Sequence, residues 1–358
     1  MSTIIDFSSL TLNTEEARSL SETIQEQVFA KPELTQVHEV MTGVEMDKYI
    51  PILGKYGLVG KVDPGSCAVN AESSQIPTSQ KTWTPKLVSG RLSHCQADIP
   101  NLLKFWKKSR IAAGTWEDVD NEMMAFINDR VADAISESIF RIAEFGDTDN
   151  SPVGDGTGNE VLTAGTTKTY FNILNGMWKQ VFTDQAGSAK AYRYTIDENA
   201  QGTKAAQLAL ASDAALNVFR SLYNNADTRI FESNTPVFQV TKSIFDNWQD
   251  YMEDKSAVFQ LDRTENGSTK WSYRGIPIVV RNDWDRTVRS YYDNGTTYNL
   301  PHRAILTDIA NIPVGTSDTE SLTSLDSFYD KKDKTHYVDF AYKLDQKNLQ
   351  EELMAVAY

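Results

Sequence analysis

Residues 115–145 of this 358-residue chain are TWEDVDNEMMAFINDRVADAISESIFRIAEF. Apolar side chains recur in this stretch every three or four residues and acidic side chains occupy the other faces, as in an amphipathic helix. The apolar set is Val119, Met123, Ile127, Val131, Ile135, Ile139 and Ile142. Thr115 with Asp118 is a helix-start signature and Gly146 is a natural stop, so the pattern predicts one helix from Thr115 to Phe145.

A helix of this length would extend roughly 45 Å at 1.5 Å per residue, more than the diameter of a small globular domain. The mean helix has only about 11–12 residues, so a compact enzyme core rarely needs one this long. We therefore expect an elongated, plate-like subunit in which the long helix acts as a beam.

The charge balance argues against tight binding to nucleic acid. The chain has 49 acidic and 35 basic residues and a formal net charge of −14. Binding to a phosphate backbone requires clustered Lys and Arg, and the nearest approach to a cluster is Lys104, Lys107, Lys108 and Arg110. Such a surface remains compatible with enclosing DNA that must not stick to it.

The chain carries no signal for export or membrane insertion. No apolar run approaches the roughly 20 residues of a membrane span, and the first residues lack the features of a secretory signal. The two cysteines, Cys67 and Cys95, are too few for a disulfide framework. We expect a soluble protein made in a reducing compartment.

The N-terminal region, residues 1–35, predicts an arm with one amphipathic helix from Asn13 to about Phe29, closed by Pro32. Residues 36–100 change character. They contain β-prone pieces broken by glycine and proline, then a small and polar tip, Ala71–Thr82. The pattern predicts a long two-stranded ribbon that folds back at about Pro77–Gln80.

A lone two-stranded ribbon is marginal in water, and this one is rich in Ser, Gly, Thr and Lys. Its strands, of about 13 residues, would extend on the order of 40 Å. We therefore expect the ribbon to lie on a neighbouring copy of the chain. The candidate inter-subunit contacts are Lys81, Trp83, Lys86 and Arg91.

The rest of the chain mixes helices and strands without a regular β-α-β rhythm, which predicts an α+β fold. Helices are expected over Tyr170–Phe182 and Asp213–Tyr223 and around Ile244–Met252. Asn266-Gly267 predicts a hairpin between two β-prone runs. Further strands are expected at Ile276–Arg281, at Arg303–Ile309, where Val338, Phe340, Tyr342 and Leu344 alternate, and in the closing ELMAVAY.

The loop after the long helix has Asp147, Asp149 and Ser151 at alternate positions, as at the start of a calcium-binding loop. That motif also requires Gly at its sixth and Glu at its twelfth position, where this chain has Pro152 and Gly158. No calcium site is predicted. The glycines at 154, 156 and 158 and the segment Gly165–Thr169 likewise lack the spacing of a phosphate-binding loop.

The four histidines, His38, His94, His302 and His336, are scattered along the chain. His94 and Cys95 are neighbours, and on a strand they would point to opposite faces and could not act as a catalytic pair. The sequence therefore predicts structural histidines, with no catalytic residue, cofactor or metal, in a protein that is not an enzyme. Cys67 and Cys95 are almost equidistant from the ribbon tip, so they either face each other or never meet.

The order of arm, ribbon, long helix and α+β body resembles the major capsid protein of tailed double-stranded DNA phages, the Hong Kong 97-type coat fold. Glu117–Thr148 is similar to that family's spine helix and the Gly-Asp turn after it. WSYRGIPIVV (271–280) is similar to a hairpin strand of its axial domain, and LPHRAILTDIANIPVGT (300–316) to a late strand and turn of that domain.

The resemblance implies a domain plan and a function. Residues 1–35 would be the N-terminal arm, 36–100 the extended loop (Gly54–Ala97) with flanking strands, 101–165 the peripheral domain with the spine helix, 166–318 the axial domain and 319–358 the return strands. The chain would form hexamers and pentamers of a virion shell around packaged double-stranded DNA. Its partners would be itself, a portal at one vertex, and scaffold or decoration proteins, in the host cytoplasm during assembly.

Two other functions stay open at this point. A shell of the same fold could enclose a cargo enzyme as an encapsulin-like nanocompartment, and a soluble hydrolase could carry a site without a recognised motif. The kind of particle and its contents separate the three.

Overall fold

The computed structural model describes residues 34–53, 76, 78–95, 116–153, 160–187, 189–255, 261–263, 269–317, 326–330 and 335–358. The helices are α1 (Leu34–Val37), α2 (Trp116–Phe145), α3 (Met177–Ala186), α4 (Lys204–Leu208), α5 (Ala214–Asn225), α6 (Lys242–Asp254) and α7 (Asn282–Tyr291). The strands are β1 (Val40–Met41), β2 (Tyr49–Leu53), β3 (Thr78–Thr82), β4 (Lys86–Cys95), β5 (Ser151–Pro152), β6 (Glu160–Leu162), β7 (Tyr192–Tyr194), β8 (Pro236–Val240), β9 (Leu261–Arg263), β10 (Thr269–Tyr273), β11 (Ile276–Val280), β12 (Ala304–Asp308), β13 (Val314–Gly315), β14 (Asp326–Asp330), β15 (Thr335–Gln346) and β16 (Met354–Ala357).

The long helix predicted from the 115–145 pattern is confirmed as α2, which has 30 residues. The second half of its apolar stripe is buried against β15. Val131, Ile135, Ile139 and Ile142 form one cluster with Val338, Tyr342 and Leu344 of that strand. The three- and four-residue spacing therefore marks the face that packs on a sheet.

Gly146, the first residue after α2, lies where no side chain fits. A Cβ at this position would lie 2.5 Å from the carbonyl oxygens of both Ile142 and Leu174. The amide of Gly146 still donates to the Ile142 carbonyl, at 3.1 Å, and its own carbonyl accepts from Gly176. The chain can therefore turn back closely over the helix end.

The larger sheet has seven strands in the order β7-β16-β12-β8-β11-β10-β9, with parallel and antiparallel neighbours mixed. Helices cover both faces of it. Ala304 and Leu306 of β12 point to the side of α5 and α6, whereas Ile305 points to the side of α3 and α7. The helices and the mixed strand order agree with the predicted α+β class, and the expected strands β11, β12 and β16 and the hairpin pair β9–β10 are confirmed.

The smaller sheet has the order β1-β13-β15-β14, with β4 along the other edge of β15. β4 and β15 pair antiparallel from Lys86 with Leu344 to Cys95 with Thr335, without a shift of register. The predicted alternation in β15 is confirmed, since Val338, Tyr342 and Leu344 are buried.

The predicted single ribbon folding back at Pro77–Gln80 is wrong. Thr78–Thr82 is strand β3, which pairs antiparallel with β2, and the following strand β4 pairs with β15 instead of with earlier residues. The physical reason is that β15 offers an apolar face, formed by Val338, Tyr342 and Leu344, against which Val88 of β4 packs. Gly90 of β4 accommodates the Phe340 ring, which a Cβ there would overlap.

The helix predicted over Tyr170–Phe182 is partly wrong. Lys168–Tyr170 form a 3-10 turn, and the α-helix α3 begins only at Met177. Gly176, its N-cap, lies so close to the end of α2 that a Cβ would be 2.7 Å from the Ala143 carbonyl oxygen, so the chain must turn there before it becomes helical.

The helices predicted at Asp213–Tyr223 and around Ile244–Met252 are confirmed as α5 and α6. The Asn13–Phe29 helix, Cys67 and the turn at Asn266-Gly267 lie outside the described residues. The possible pairing of Cys67 with Cys95 therefore stays a prediction.

The packing at Gly146 predicts that Gly146→Ala lowers the free energy of unfolding by about 1–3 kcal/mol, because the added methyl group would overlap two carbonyl oxygens. Urea unfolding of unassembled subunits measures the change. Gly202→Ala is the matched control, because a Cβ at Gly202 would meet no atom within 4 Å. Equal unfolding midpoints for the two variants would contradict this account of the helix end.

Candidate assembly surfaces

Four ionisable side chains meet in the interior at the end of α2. His38, Glu144 and Arg281 are fully buried and Asp283 is 6% exposed. They come from four elements or their flanks: the residue after α1, the last turn of α2, the residue after β11, and the first turn of α7. Buried charges are retained only where they are paired and hydrogen-bonded, so this site fixes how those elements meet.

Glu144 accepts hydrogen bonds at both carboxylate oxygens. Its Oε1 accepts from His38 Nε2 at 3.0 Å and from Arg281 Nη2, and its Oε2 accepts from Trp284 Nε1. Arg281 in turn donates from Nε to Oδ1 of Asp283 at 2.9 Å. The guanidinium is thus held between two carboxylates.

Two further contacts extend this junction to the segment around α1. His38 Nδ1 lies 2.8 Å from the carbonyl oxygen of Ile312, which can only accept. Gln239 accepts from Arg281 Nη1 and donates from Nε2 to the Val37 carbonyl at 2.9 Å. Both ring nitrogens of His38 thus lie at oxygen atoms of other elements, which fixes the orientation of the ring.

The charges of this junction compensate one another. Burial alone would lower the pKa of Arg281, but the charges of Asp283 and Glu144 raise it above its ordinary value. Burial alone would raise the pKa of Asp283, but the charge of Arg281 has the larger effect, so the pKa of Asp283 is lowered. Arg281 and Asp283 therefore stabilise each other's charged forms in the buried space.

The residues considered for chemistry make structural contacts. His302 lies between Ser243 Oγ and the Gln207 carbonyl oxygen, each at 2.7 Å, and burial lowers its pKa. In the loop after α2, Lys179 Nζ lies 2.9 Å from carboxylate oxygens of both Asp147 and Asp149. Within the described ranges, no group of three or more His, Cys, Asp and Glu side chains could hold a metal ion.

The ribbon of β2 and β3 is anchored to its own subunit at its base. Trp83 is 3% exposed. Its ring packs so closely on Gly315 that a Cβ added to Gly315 would lie 2.7 Å from Cζ3 of the ring. Lys81 binds Glu351, and the amide of Thr84 donates to Asp345 Oδ2 at 2.6 Å.

Of the four residues predicted to contact a neighbour, three make contacts within the subunit. Trp83 and Lys81 belong to the base of the ribbon, and Arg91 Nε donates to Asp339 Oδ1 at 2.7 Å on the exposed face of β4 and β15. Lys86 is exposed at the start of β4. Their role between subunits stays a prediction, and Trp83 offers a neighbour little surface.

The outer face of the ribbon is apolar and exposed, a feature that the sequence analysis did not identify. Tyr49, Pro51 and Leu53 alternate along β2 and share this face; Tyr49 is 60% and Leu53 is 72% exposed. Ile76, two residues before the start of β3, is 40% exposed. The signal in the sequence was that YIPIL (49–53) is apolar at every position, so that both faces of β2 carry apolar side chains.

A groove of about 760 Å³ lies between α6 and α7 and is lined by charges of both signs, including Lys242, Asp246, Asp285 and Arg289. Asp285 Oδ2 accepts a hydrogen bond from the amide of Lys242, the first residue of α6, at 2.6 Å. Burial raises the pKa of Asp285 to about 6. A side chain of α7 thus caps the N-terminus of α6.

No helix in the part of the chain that the structure describes is apolar enough over a sufficient length to cross a membrane.

Comparison with solved structures relates this fold to phage proteins. A chain in a structure of Gordonia phage Cozz matches with a TM-score of 0.50 and 11% identity, over 94% of this chain and 90% of that one. A chain of Mycobacterium phage Ogopogo matches with a TM-score of 0.50 and 12% identity, over 99% of each chain. A chain of the satellite phage P4 procapsid matches with a TM-score of 0.48 and 9% identity, over 91% of this chain and 94% of that one.

No protein-family model matches the sequence, and no curated protein does. The likeness to phage proteins expected from the sequence is therefore confirmed at the level of the fold, across nearly the whole length of the Cozz and Ogopogo chains.

The buried junction predicts that Arg281→Met lowers the free energy of unfolding by about 3–5 kcal/mol, because Glu144 and Asp283 would be left as buried carboxylates without their cation. Urea unfolding of unassembled subunits measures the loss. Lys242→Met is the control, since it breaks an exposed pair with Asp246 and should cost within about 0.5 kcal/mol. Similar costs for both variants would refute the role given to the junction.

The raised pKa of Asp285 predicts a specific pH dependence. The folded state holds this proton more tightly than the unfolded state, so ionisation of Asp285 costs stability as the pH rises from about 4 to about 7. Asp285→Asn keeps an acceptor for the Lys242 amide and should gain about 2–3 kcal/mol relative to the parent chain over that range. Unfolding curves at several pH values test this, and parallel pH profiles would contradict it.

Proposed function

We propose that this chain is a structural coat protein that self-assembles through hexamers and pentamers into an icosahedral shell around packaged double-stranded DNA. Three observations support the proposal: the fold shared over nearly the whole length with chains from two phages, the long helix packed on a sheet, and a ribbon with an uncovered apolar face. The proposed fold is the Hong Kong 97-type coat fold.

Its parts follow the order given by the sequence resemblance. The arm would be residues 1–35, the extended loop with its flanking strands 36–100, the peripheral domain with α2 101–165, the axial domain 166–318 and the return strands 319–358. The seven-stranded sheet lies in the proposed axial range, with β16 contributed from the return strands, while β4 and β15 support α2 in the proposed peripheral domain.

The single observation that carries the proposal is the ribbon of β2 and β3. Two strands alone are marginally stable in water, and Tyr49 and Leu53 leave more than half of their surface exposed. Covering a large apolar side chain contributes about 1.5–3 kcal/mol. A contact of this size is weak for one pair of subunits, but a closed shell repeats it in every subunit.

The proposed cargo is enclosed without tight binding. The net charge of −14 disfavours association with the phosphate backbone, so DNA would be held by confinement. The proposed partners are further copies of this chain, a portal at one vertex, and scaffold or decoration proteins. The proposed location is the virion, after assembly in the host cytoplasm.

The ribbon face predicts that Tyr49→Ser combined with Leu53→Ser leaves a folded subunit that assembles poorly, because the apolar cover between copies is lost. Circular dichroism checks the fold, and sedimentation with electron microscopy counts shells. Leu208→Ser, which changes an apolar side chain 43% exposed elsewhere, is the control and should assemble normally. Shells formed equally well by both variants would overturn the role of the ribbon, and a parent chain that forms no shells would overturn the proposed function.

A further inference from the structure

One edge of strand β4 has no partner strand among the described residues. Along one side its ten residues pair with β15, and none of the strands in the described ranges lies along the other side. Proteins usually protect exposed edges with charged side chains, proline, bulges or short strands, because an unpaired row of amides and carbonyls invites another strand. β4 has two charged side chains, Lys86 at its first position and Arg91, which is bound to Asp339. It has no proline, keeps an unbroken register with β15, and carries Leu87, which is 64% exposed.

We infer that this edge of β4 pairs antiparallel with β4 of a second copy, across a two-fold axis, and thereby joins two neighbouring rings of the shell. This inference rests on the proposed coat function. A two-fold axis perpendicular to the sheet makes the contact self-complementary, and it can produce only antiparallel pairing of a strand with its own copy.

The two faces of β4 restrict the register of this pairing. Val88 and Leu92 oppose the buried Tyr342 and Val338, so they point towards α2, whereas Leu87, Ser89 and Ser93 point outwards. Residues opposite each other in an antiparallel pair lie on the same face. The two-fold axis must therefore pass through a residue of β4 and not between two residues.

With the two-fold axis at Gly90 or at Arg91, all but one residue of β4 would pair with the second copy, and any other axis would pair fewer. An axis at Arg91 would put two guanidinium groups directly opposite each other, which is destabilising. An axis at Gly90 instead places Arg91 opposite Ser89 of the second copy. The structure thus favours Gly90 at the centre.

The Gly90 register also covers apolar surface. It places Val88 beside Leu92 of the second copy on the α2 side, and Leu92 is 38% exposed in the isolated subunit. On the outer side it places Leu87 opposite Ser93. Arg91 can keep its bond to Asp339 within its own subunit while it faces Ser89, an uncharged side chain.

Cysteine cross-linking tests the register. In a Cys67→Ser/Cys95→Ser background, the double variant Leu87→Cys/Ser93→Cys should give covalent dimers from assembled particles treated with a short bifunctional thiol reagent. Each single variant is a control that should give few dimers, because two copies of residue 87 would lie about 20 Å apart, six residues along the strand.

The outcomes separate the two proposals. If the double variant forms covalent dimers in particles and the single variants do not, the β4–β4 pairing is supported. If particles form but the double variant gives no more dimer than the single variants, the β4–β4 pairing is wrong and the coat function is unaffected. If the parent chain makes no particles, both proposals are wrong, because there are no rings to join.

A charge test at an exposed position gives an independent readout. Ser89→Lys would place a cation opposite Arg91 of the second copy and should lower the yield of closed shells at least several-fold, with free rings accumulating. Ser89→Glu places an anion there and should assemble as well as the parent chain. Equal shell yields for the two variants would overturn the Gly90 register.

Discussion

The ionic junction at the end of α2 constrains the whole subunit. Removing Glu144, Arg281 and Asp283 from water costs several kcal/mol per ion, and only a nearly ideal arrangement of partners offsets that cost. Such an arrangement leaves little freedom in how α2 meets α7 and the segment around His38. Hydrophobic packing alone tolerates sliding, whereas charge pairs of this kind favour one geometry. The position of the long helix relative to the larger sheet follows from this site.

Two contacts between an aromatic ring and a glycine complete the frame. The ring of Trp83 lies against Gly315, and the ring of Phe340 lies over Gly90. Each requires a missing side chain on a strand, which is where glycine is otherwise unfavourable. The first contact sets where the ribbon of β2 and β3 leaves the body, and the second seats β4 on β15. The exposed surfaces proposed for assembly are therefore attached to a rigid base.

The sequence was sufficient for elements whose signal is local. The spacing of apolar residues predicted α2, Gly146 predicted its end, and alternation predicted the buried face of β15. Pairings between distant residues were not predictable in this way. The partner strand of β4 lies more than 200 positions away, and no pattern in residues 86–95 indicates which strand that is. Gly90 inside a strand was the available signal for a close approach. The junction was missed because Arg281 and Asp283 look like ordinary polar residues at the end of a strand, and burial is not visible in sequence.

The distance along the chain between β4 and β15 also bears on timing during synthesis. β4 is made early, but the residues that hydrogen-bond to it, Thr335–Leu344, leave the ribosome only after most of the chain. Contacts of such long sequence separation form slowly, because a large loop must close first. A partly translated chain therefore cannot present a finished β4 edge. Under the proposed assembly, the order in which the strands are translated would keep half-made subunits out of a growing lattice.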